Sequence, residues 1–262
     1  MFKSLVGTDI QSCFIMENIN NSYFDGYYKD VWRSIIPAEL TVKELDFIFQ
    51  YFKLEPGNKV LDLMCGYGRH AIALAKKGID VTAIDNLADY INEINGIAEK
   101  DHLPLKAIWE DIINFQTTDV FDLVLCMGNS LNFFNAADTV SLLSAVAKNL
   151  KEKGQLLINT WSLAEIAIKS FTANSWTAID SLKFLNNSNY LFHPTRIESE
   201  SIIIAADGTT EAKTAIDYIY SVAEMEAMLK GAGFAMKEIY SIPGRKKFTL
   251  GDPRAYIIAE KL

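Results

Sequence analysis

Cysteine and histidine are scarce, with three of each in 262 residues. Cys13, Cys65 and Cys126 are odd in number, widely spaced and without a CxxC pair, so neither a disulfide framework nor a zinc cluster fits. Free thiols in a reducing cytoplasm are the expectation. His70, His102 and His193 share no metal-ligand spacing with them, and no metal site is expected. An excess of basic charge is also missing: 25 Lys and Arg stand against 33 Asp and Glu, a net charge of -8. That disfavours a broad nucleic-acid surface. No apolar run is long enough to cross a bilayer. The opening stretch MFKSLVGTDIQ holds one lysine and is broken by Asp9, so it reads poorly as a signal peptide. Neither nucleic acid nor a membrane is therefore an expected partner. Half of the residues are apolar, enough to bury the core of one domain with an embellishment.

The stretch from Val60 to Asp85, VLDLMCGYGRHAIALAKKGIDVTAID, is the most informative. Val60, Leu61 and Leu63 form a short apolar run closed by Cys65-Gly66-Tyr67-Gly68. Gly66 and Gly68 can take positive φ and let a ligand approach the backbone. Ala71, Ile72, Leu74 and Ala75 continue at helical spacing. Ile79 to Ile84 reads as the next buried strand, and Asp85 stands at its end, where an acid can bind ribose hydroxyls.

Strands are expected near 59–64, 79–84, 104–108, 121–126 and 154–160, with helices near 69–77, 88–100 and 138–150. Such alternation implies βαβ units and a parallel sheet. Upstream lie the aromatics Tyr23, Phe24, Tyr27, Tyr28 and Trp32. Thr41 with Glu44 reads as a capping box opening a helix. After Trp161 the rhythm breaks. A helix is expected within 162–172, and β-structure from 174 to 220 with a turn at Asp207-Gly208. Trp176 is expected in the core of that β-rich block. Ser221 with Glu224 forms a second capping box, and that helix stops at Gly231-Ala-Gly233. Phe234–Ile242 and Ala255–Glu260 are expected as antiparallel neighbours. Arg245-Lys246-Lys247 reads as a solvated loop, with attraction of an acidic substrate as the sharper alternative. Arg69 and His70 read as solvated residues at a helix start.

Gly66-Tyr-Gly68-Arg-His-Ala71 also satisfies the dinucleotide pattern G-x-G-x-x-G/A, a weak signal alone. Asp62 argues otherwise, because phosphates at a helix N-terminus want amide donors and positive charge. An acid there suits an ammonium or a sulfonium. Glu110-Asp111-Ile112 places another acid after the third strand, where it can accept from an adenine amine. Asp62, Asp85 and Asp111 thus outline a cationic tail, a ribose and an adenine. Each acid also has a bland reading as a cap or turn residue.

On these motifs the chain resembles the class I S-adenosylmethionine-dependent methyltransferases from about Lys59 to Leu262. The likeness extends to Phe121-Asp-Leu-Val-Leu-Cys-Met-Gly-Asn-Ser130, to Leu150-Lys-Glu-Lys-Gly154 and to Gly231-Ala-Gly-Phe234. It is strongest to the small-molecule branch that includes glycine and sarcosine N-methyltransferases, on Gly128-Asn-Ser-Leu-Asn-Phe-Phe134. The resemblance implies a Rossmann-like, doubly wound, seven-stranded, mainly parallel sheet with an antiparallel last strand. The resemblance also implies a small β-rich cap inserted after strand five. It implies an N-terminal lid over 1–58, a cofactor-binding domain over 59–161 and 221–262, and a substrate cap over 162–220. The cofactor would be S-adenosylmethionine, leaving as S-adenosylhomocysteine, and the partner a small-molecule methyl acceptor.

Carried over residue by residue, Asp62 would organise the turn and pair with the methionine amine, directly or through water. Gly66 would pass its backbone close to the methionine part, with Met64, Gly68 and Arg69 beside it. Asp85 would bind the ribose, Asn86 or Leu87 would lie by the adenine, and Asp111 and the Ile112 amide would meet its ring. Met127 and Gly128 would line the end of strand four. Tyr27, Tyr28 and Asn129 would face the reaction centre. Met64 departs from the family, which has glycine there, so the first turn is expected to accept an ordinary residue's backbone angles. No unambiguous general base is legible, which mildly favours N-methylation, since a neutral amine attacks without one. Two alternatives stay open: a nucleotide-dependent oxidoreductase and a non-catalytic S-adenosylmethionine-binding protein.

Overall fold

The computed structural model describes residues 18–262; Cys13 lies outside them. Helices α1 (Tyr28–Ile35) and α2 (Ala38–Phe52) lead into β1 (Lys59–Leu63), α3 (Arg69–Ala75), β2 (Asp80–Asp85), α4 (Ala88–Asp101) and β3 (Leu105–Trp109). β4 (Phe121–Cys126), α5 (Ala136–Lys148) and β5 (Leu150–Thr160) follow. After α6 (Ala164–Ser170), four strands form a second sheet: β6 (Asn174–Ile179), β7 (Leu182–Phe192), β8 (Thr195–Ile204) and β9 (Thr210–Tyr218). The chain then returns through α7 (Val222–Gly231), β10 (Phe234–Ile242), β11 (Lys246–Lys247) and β12 (Ala255–Lys261).

The main sheet runs β11-β10-β12-β5-β4-β1-β2-β3. The seven expected strands are present, and the two-residue β11 adds an edge. β12 pairs antiparallel with both β5 and β10, while β1 to β5 pair in parallel. Ala255 to Ala259 are all buried, the continuous apolar run of a strand covered on both faces. Phe47, Ile48, Leu74 and Ile94 cover one face; Leu142, Leu143, Met225 and Leu229 cover the other. β1 lies between β2 and β4, so the strand order reverses at its carboxyl end. In open α/β sheets that switch point is where ligands bind.

The second sheet is antiparallel throughout, in the order β6-β7-β8-β9. The turn at Asp207-Gly208 forms as expected, with the Thr209 amide donating to Asp207 Oδ1 at 2.9 Å. One face packs on the N-terminal segment, where Tyr23, Tyr28 and Val31 meet Ile179, Leu182, Ile203 and Ala215. Asn20 fastens that segment to β9: its Nδ2 donates to the Ile216 carbonyl and its Oδ1 accepts from the Ile216 amide.

Three local readings are corrected. Helix α2 begins at Ala38 behind Pro37, so Thr41 and Glu44 lie inside it and form no capping box. Glu44 is instead drawn inward, 1% exposed, by Arg69, His70 and Tyr256. His70 is accordingly buried and not solvated. Trp176 is 72% exposed, because strand alternation puts it in register with Leu185 and Ile202, opposite the packed face. The capping box of α7 forms as read, with Ser221 and Glu224 satisfying each other's backbone amides.

Candidate functional site

At the end of β1 the chain makes a left-handed turn through Met64, Gly66 and Gly68, with φ of +51°, +56° and +74°. The expectation for Met64 fails: its backbone takes the positive φ that the family meets with glycine. An ordinary residue pays roughly 1–2 kcal/mol there, and Met64 packs its side chain on the core in compensation. A Cβ on Gly66 would meet only Trp32 Nε1, at 3.9 Å, so that position faces open space in the cleft. Gly68 has another role. Its Cβ would fall 2.7 Å from Ile94 Cγ1, so glycine there lets α3 pack on α4, and Gly68 does not line the cleft.

The cleft lies at the switch point and holds about 940 Å³ of empty space, its open mouth included. It collects nearly all the expected cofactor residues: Asp62, Met64, Gly66, Arg69, Asp85, Asn86, Leu87, Asp111, Ile112, Met127 and Gly128 all line it. Asp85 accepts from the Gly66 amide on Oδ2 (2.8 Å) and from the Leu87 amide on Oδ1 (3.0 Å). One carboxylate thus ties the glycine turn to the end of β2. Asp111 accepts from the Ile113 amide and from Asn21 Nδ2. The Arg69 guanidinium points to Glu44 and Thr41, which takes it away from any anion-binding role.

Asp62 is 1% exposed, and its Oδ2 has no hydrogen-bond partner among the described residues; the same holds for the Tyr90 hydroxyl. Both line this cavity. Buried polar groups of this kind are costly unless something pairs with them. An acceptor at Asp62 fits an ammonium, and Asp85 fits a pair of hydroxyls. With the open position at Gly66, the cavity fits S-adenosylmethionine. Burial pushes Asp62 up to about 7 and Asp85 up to about 6.

These shifts set a pH dependence. Asp62 and Asp85 bind protons more tightly folded than unfolded, so stability falls as pH rises from about 4 through 7. Thermal melts of protein freed of small molecules are expected to show a lower Tm at pH 8 than at pH 5.5. A Tm that rises over that interval would contradict the burial of these acids.

A second chamber adjoins the first across Phe24, Trp32, Gly128 and Phe133, which line both. Tyr28 and Asn129 line it; Tyr27 does not, but opens onto the outer surface, its amide bound to Glu211. Asn129 is fully committed. Its Nδ2 donates to Ser162 Oγ and Asp217 Oδ1, and its Oδ1 accepts from Thr160 Oγ1 and the Trp161 and Ser162 amides. It positions other groups and offers no free atom to a substrate. Arg245-Lys246-Lys247 lines neither chamber; Lys246 and Lys247 pair with Asp252 and Glu238 at the sheet edge.

The reading of sequence missed Trp32, Tyr90 and Asp217. Asp217 carried a signal: Ala215, Asp217 and Ile219 alternate on one face, and the two apolar members are buried. An acid in that series is out of pattern. Among the described residues there is no cluster of His, Cys, Asp and Glu suited to a metal ion, and no helix long and apolar enough to cross a membrane.

Comparison with known proteins agrees with the geometry. Residues 60–154 match the family model of a methyltransferase domain. Glycine/sarcosine N-methyltransferase of Halorhodospira halochloris is 26% identical over 147 residues, 55% of this chain and 54% of that protein. A ubiquinone biosynthesis O-methyltransferase of Actinobacillus pleuropneumoniae is 30% identical over 158 residues, 55% of this chain and 66% of that one. The chain thus spans about half the length of the glycine/sarcosine enzymes it matches. An S-adenosylmethionine-dependent methyltransferase from Clostridium acetobutylicum superposes with a TM-score of 0.77 at 18% identity, covering 89% of this chain and 96% of that one. Fold and motif together are those seen in class I methyltransferases. The chain is similar to S-adenosylmethionine-dependent members of that class, the glycine/sarcosine N-methyltransferases of the small-molecule branch among them.

Proposed function

We propose that this protein transfers the methyl group of S-adenosylmethionine to a small-molecule acceptor. The observation that carries the reading is the buried, unpartnered Asp62 Oδ2 in the same cavity as Asp85 and Gly66. The pyrophosphate that a dinucleotide sets at the glycine turn is anionic and would meet Asp62 with like charge, which weighs against the oxidoreductase alternative. When bound, the cofactor supplies an already electrophilic methyl group, so positioning provides most of the rate gain. The chain's residues hold and orient. Asp62 receives the ammonium, Asp85 receives the ribose hydroxyls while holding Gly66 in place, and Asp111 with the Ile112 amide receives the adenine. Trp32 and Phe133 separate this cavity from the second chamber, where the acceptor sits under the 162–220 cap. The segment 18–58 closes the remaining side.

Asp85→Ala is expected to weaken S-adenosylhomocysteine binding at least tenfold, about 1.4 kcal/mol. It removes both the hydroxyl acceptor and the anchor of the Gly66 amide. Isothermal calorimetry on the folded variant checks this, and unchanged affinity would overturn the ribose assignment.

A further inference from the structure

The second chamber holds a carboxylate that the cofactor does not explain. It is a space of about 570 Å³ between the N-terminal aromatics and the inner face of the β6–β9 sheet. Its aromatic side includes Tyr23, Phe24, Tyr28, Trp32 and Trp161. Its polar side is largely self-satisfied: Ser201 Oγ donates to Asn186 Oδ1, Asn186 Nδ2 donates to Ser188, and Ser188 shares a hydrogen bond with Ser199. Asp217 is the exception. Both of its hydrogen bonds, from Asn129 Nδ2 (2.8 Å) and Ser162 Oγ (3.3 Å), land on Oδ1. Among the described residues Oδ2 has no donor, and no Lys, Arg or His forms an ion pair with Asp217.

Asp217 is partly exposed into a chamber it shares with aromatic rings and has no counter-ion among the described residues, so the chamber favours a cation. The surrounding rings favour one as well, since their faces attract ammonium groups. An acidic acceptor is disfavoured, because its carboxylate would meet Asp217 with like charge and no basic side chain lines the chamber. A neutral hydroxyl would leave the charge uncompensated. Resting on the methyltransferase reading, we infer that the acceptor is a protonated primary or secondary amine on an apolar or aromatic body, with its ammonium bound to Asp217 Oδ2.

The arrangement also handles the proton. An ammonium has no lone pair and cannot attack. One N–H bond must break, its electron pair staying on nitrogen, while the proton forms an O–H bond on Asp217 Oδ2. Burial pushes Asp217 up to about 6, against the hydrogen bonds from Ser162 and Asn129, so the carboxylate is a better base than an exposed aspartate. The other titratable groups facing it are the Tyr23 and Tyr28 phenols, both held in the neutral form by burial. Asn129 and Ser162 act as positioning residues that aim Oδ2 into the chamber.

The test uses matched pairs, such as 2-phenylethylamine with 2-phenylethanol and cyclohexylmethylamine with cyclohexylmethanol. Binding to the S-adenosylhomocysteine-loaded protein is measured by calorimetry or ligand-observed NMR at pH 7. At least one amine is expected to bind tenfold or more tightly than its alcohol. Asp217→Asn keeps the side-chain shape and its acceptor oxygen, and is expected to abolish the preference while leaving S-adenosylhomocysteine affinity within twofold. Asp217→Glu is expected to restore part of it. The proposal is overturned if no amine binds, if amines and alcohols bind alike, or if the folded Asn variant keeps the preference. Failure of S-adenosylhomocysteine to bind the wild-type protein would count against the cofactor reading instead; the same pairs on unloaded protein then report on the chamber alone.

Discussion

Gly66→Val is expected to abolish S-adenosylmethionine binding, with at least a hundredfold loss in Kd, about 2.7 kcal/mol, in a protein that still folds. The reason is geometric. The Gly66 Cβ position opens into the cleft beside Trp32, so a branched side chain fills space assigned to the methionine part. The left-handed backbone at φ +56° adds strain, on the order of 1–2 kcal/mol for a non-glycine residue. That is less than the usual stability of a domain, so the variant should be isolable. Gly66→Ala carries the same strain with less bulk and should lose less affinity. Circular dichroism establishes folding and calorimetry with S-adenosylhomocysteine reads binding. A folded valine variant that binds within threefold of wild type would show that the turn does not touch the ligand.

Glu44→Ala is expected to cost about 3–5 kcal/mol of stability, the range for removing one partner of a buried charge network. Glu44 Oε2 accepts from Arg69 Nη1 (2.5 Å) and His70 Nε2 (3.0 Å), and Oε1 accepts from the Tyr256 hydroxyl (2.7 Å). One side chain therefore joins α2, α3 and β12. Its loss strands Arg69, 10% exposed at the side chain, without its counter-charge. Burial alone would raise the Glu44 pKa. The His70 hydrogen bond and the His70 and Arg69 charges overcome it and hold the carboxyl at about 2. His70 is pushed below its ordinary value by burial and by Arg69, so at neutral pH the Arg69 guanidinium is the standing charge. Because the folded pKa is depressed, this stability is present above about 4.5 and is lost as pH falls toward 2. Urea denaturation of wild type and Glu44→Ala at pH 7 and pH 3 checks both points. The difference between them should be large at pH 7 and shrink at pH 3; a difference below 1 kcal/mol at pH 7 would remove the network from the stabilising features of the fold.

The cofactor cleft was largely legible because its signals are local. Asp62, Gly66 and Asp85 each mark the end of a strand, and strand ends follow from short apolar runs and the turns that close them. A parallel sheet then brings those ends together without further information. Where local rules misled, a distant partner had intervened. Glu44 has the spacing of a cap, yet Arg69 and His70 drew it into the interior. Gly68 has the look of a ligand glycine, yet Ile94 requires it for packing. Asn129 has the position of a reactive group, yet its donors and acceptor are all taken by residues 30 or more positions away.

The amino-acid order is enough to name the cofactor, because the acids and the glycine proposed to recognise it sit at or just beyond the ends of consecutive strands. On the acceptor it gives only a mild lean toward N-methylation and one acid, Asp217, out of pattern in its strand. Asp217 becomes a site residue only when β9 crosses Asn129 and Ser162 and the N-terminal aromatics close over it. Those contacts join segments roughly 55 to 195 positions apart. No period or motif encodes such contacts, since they arise from the packing of a whole sheet against a remote segment.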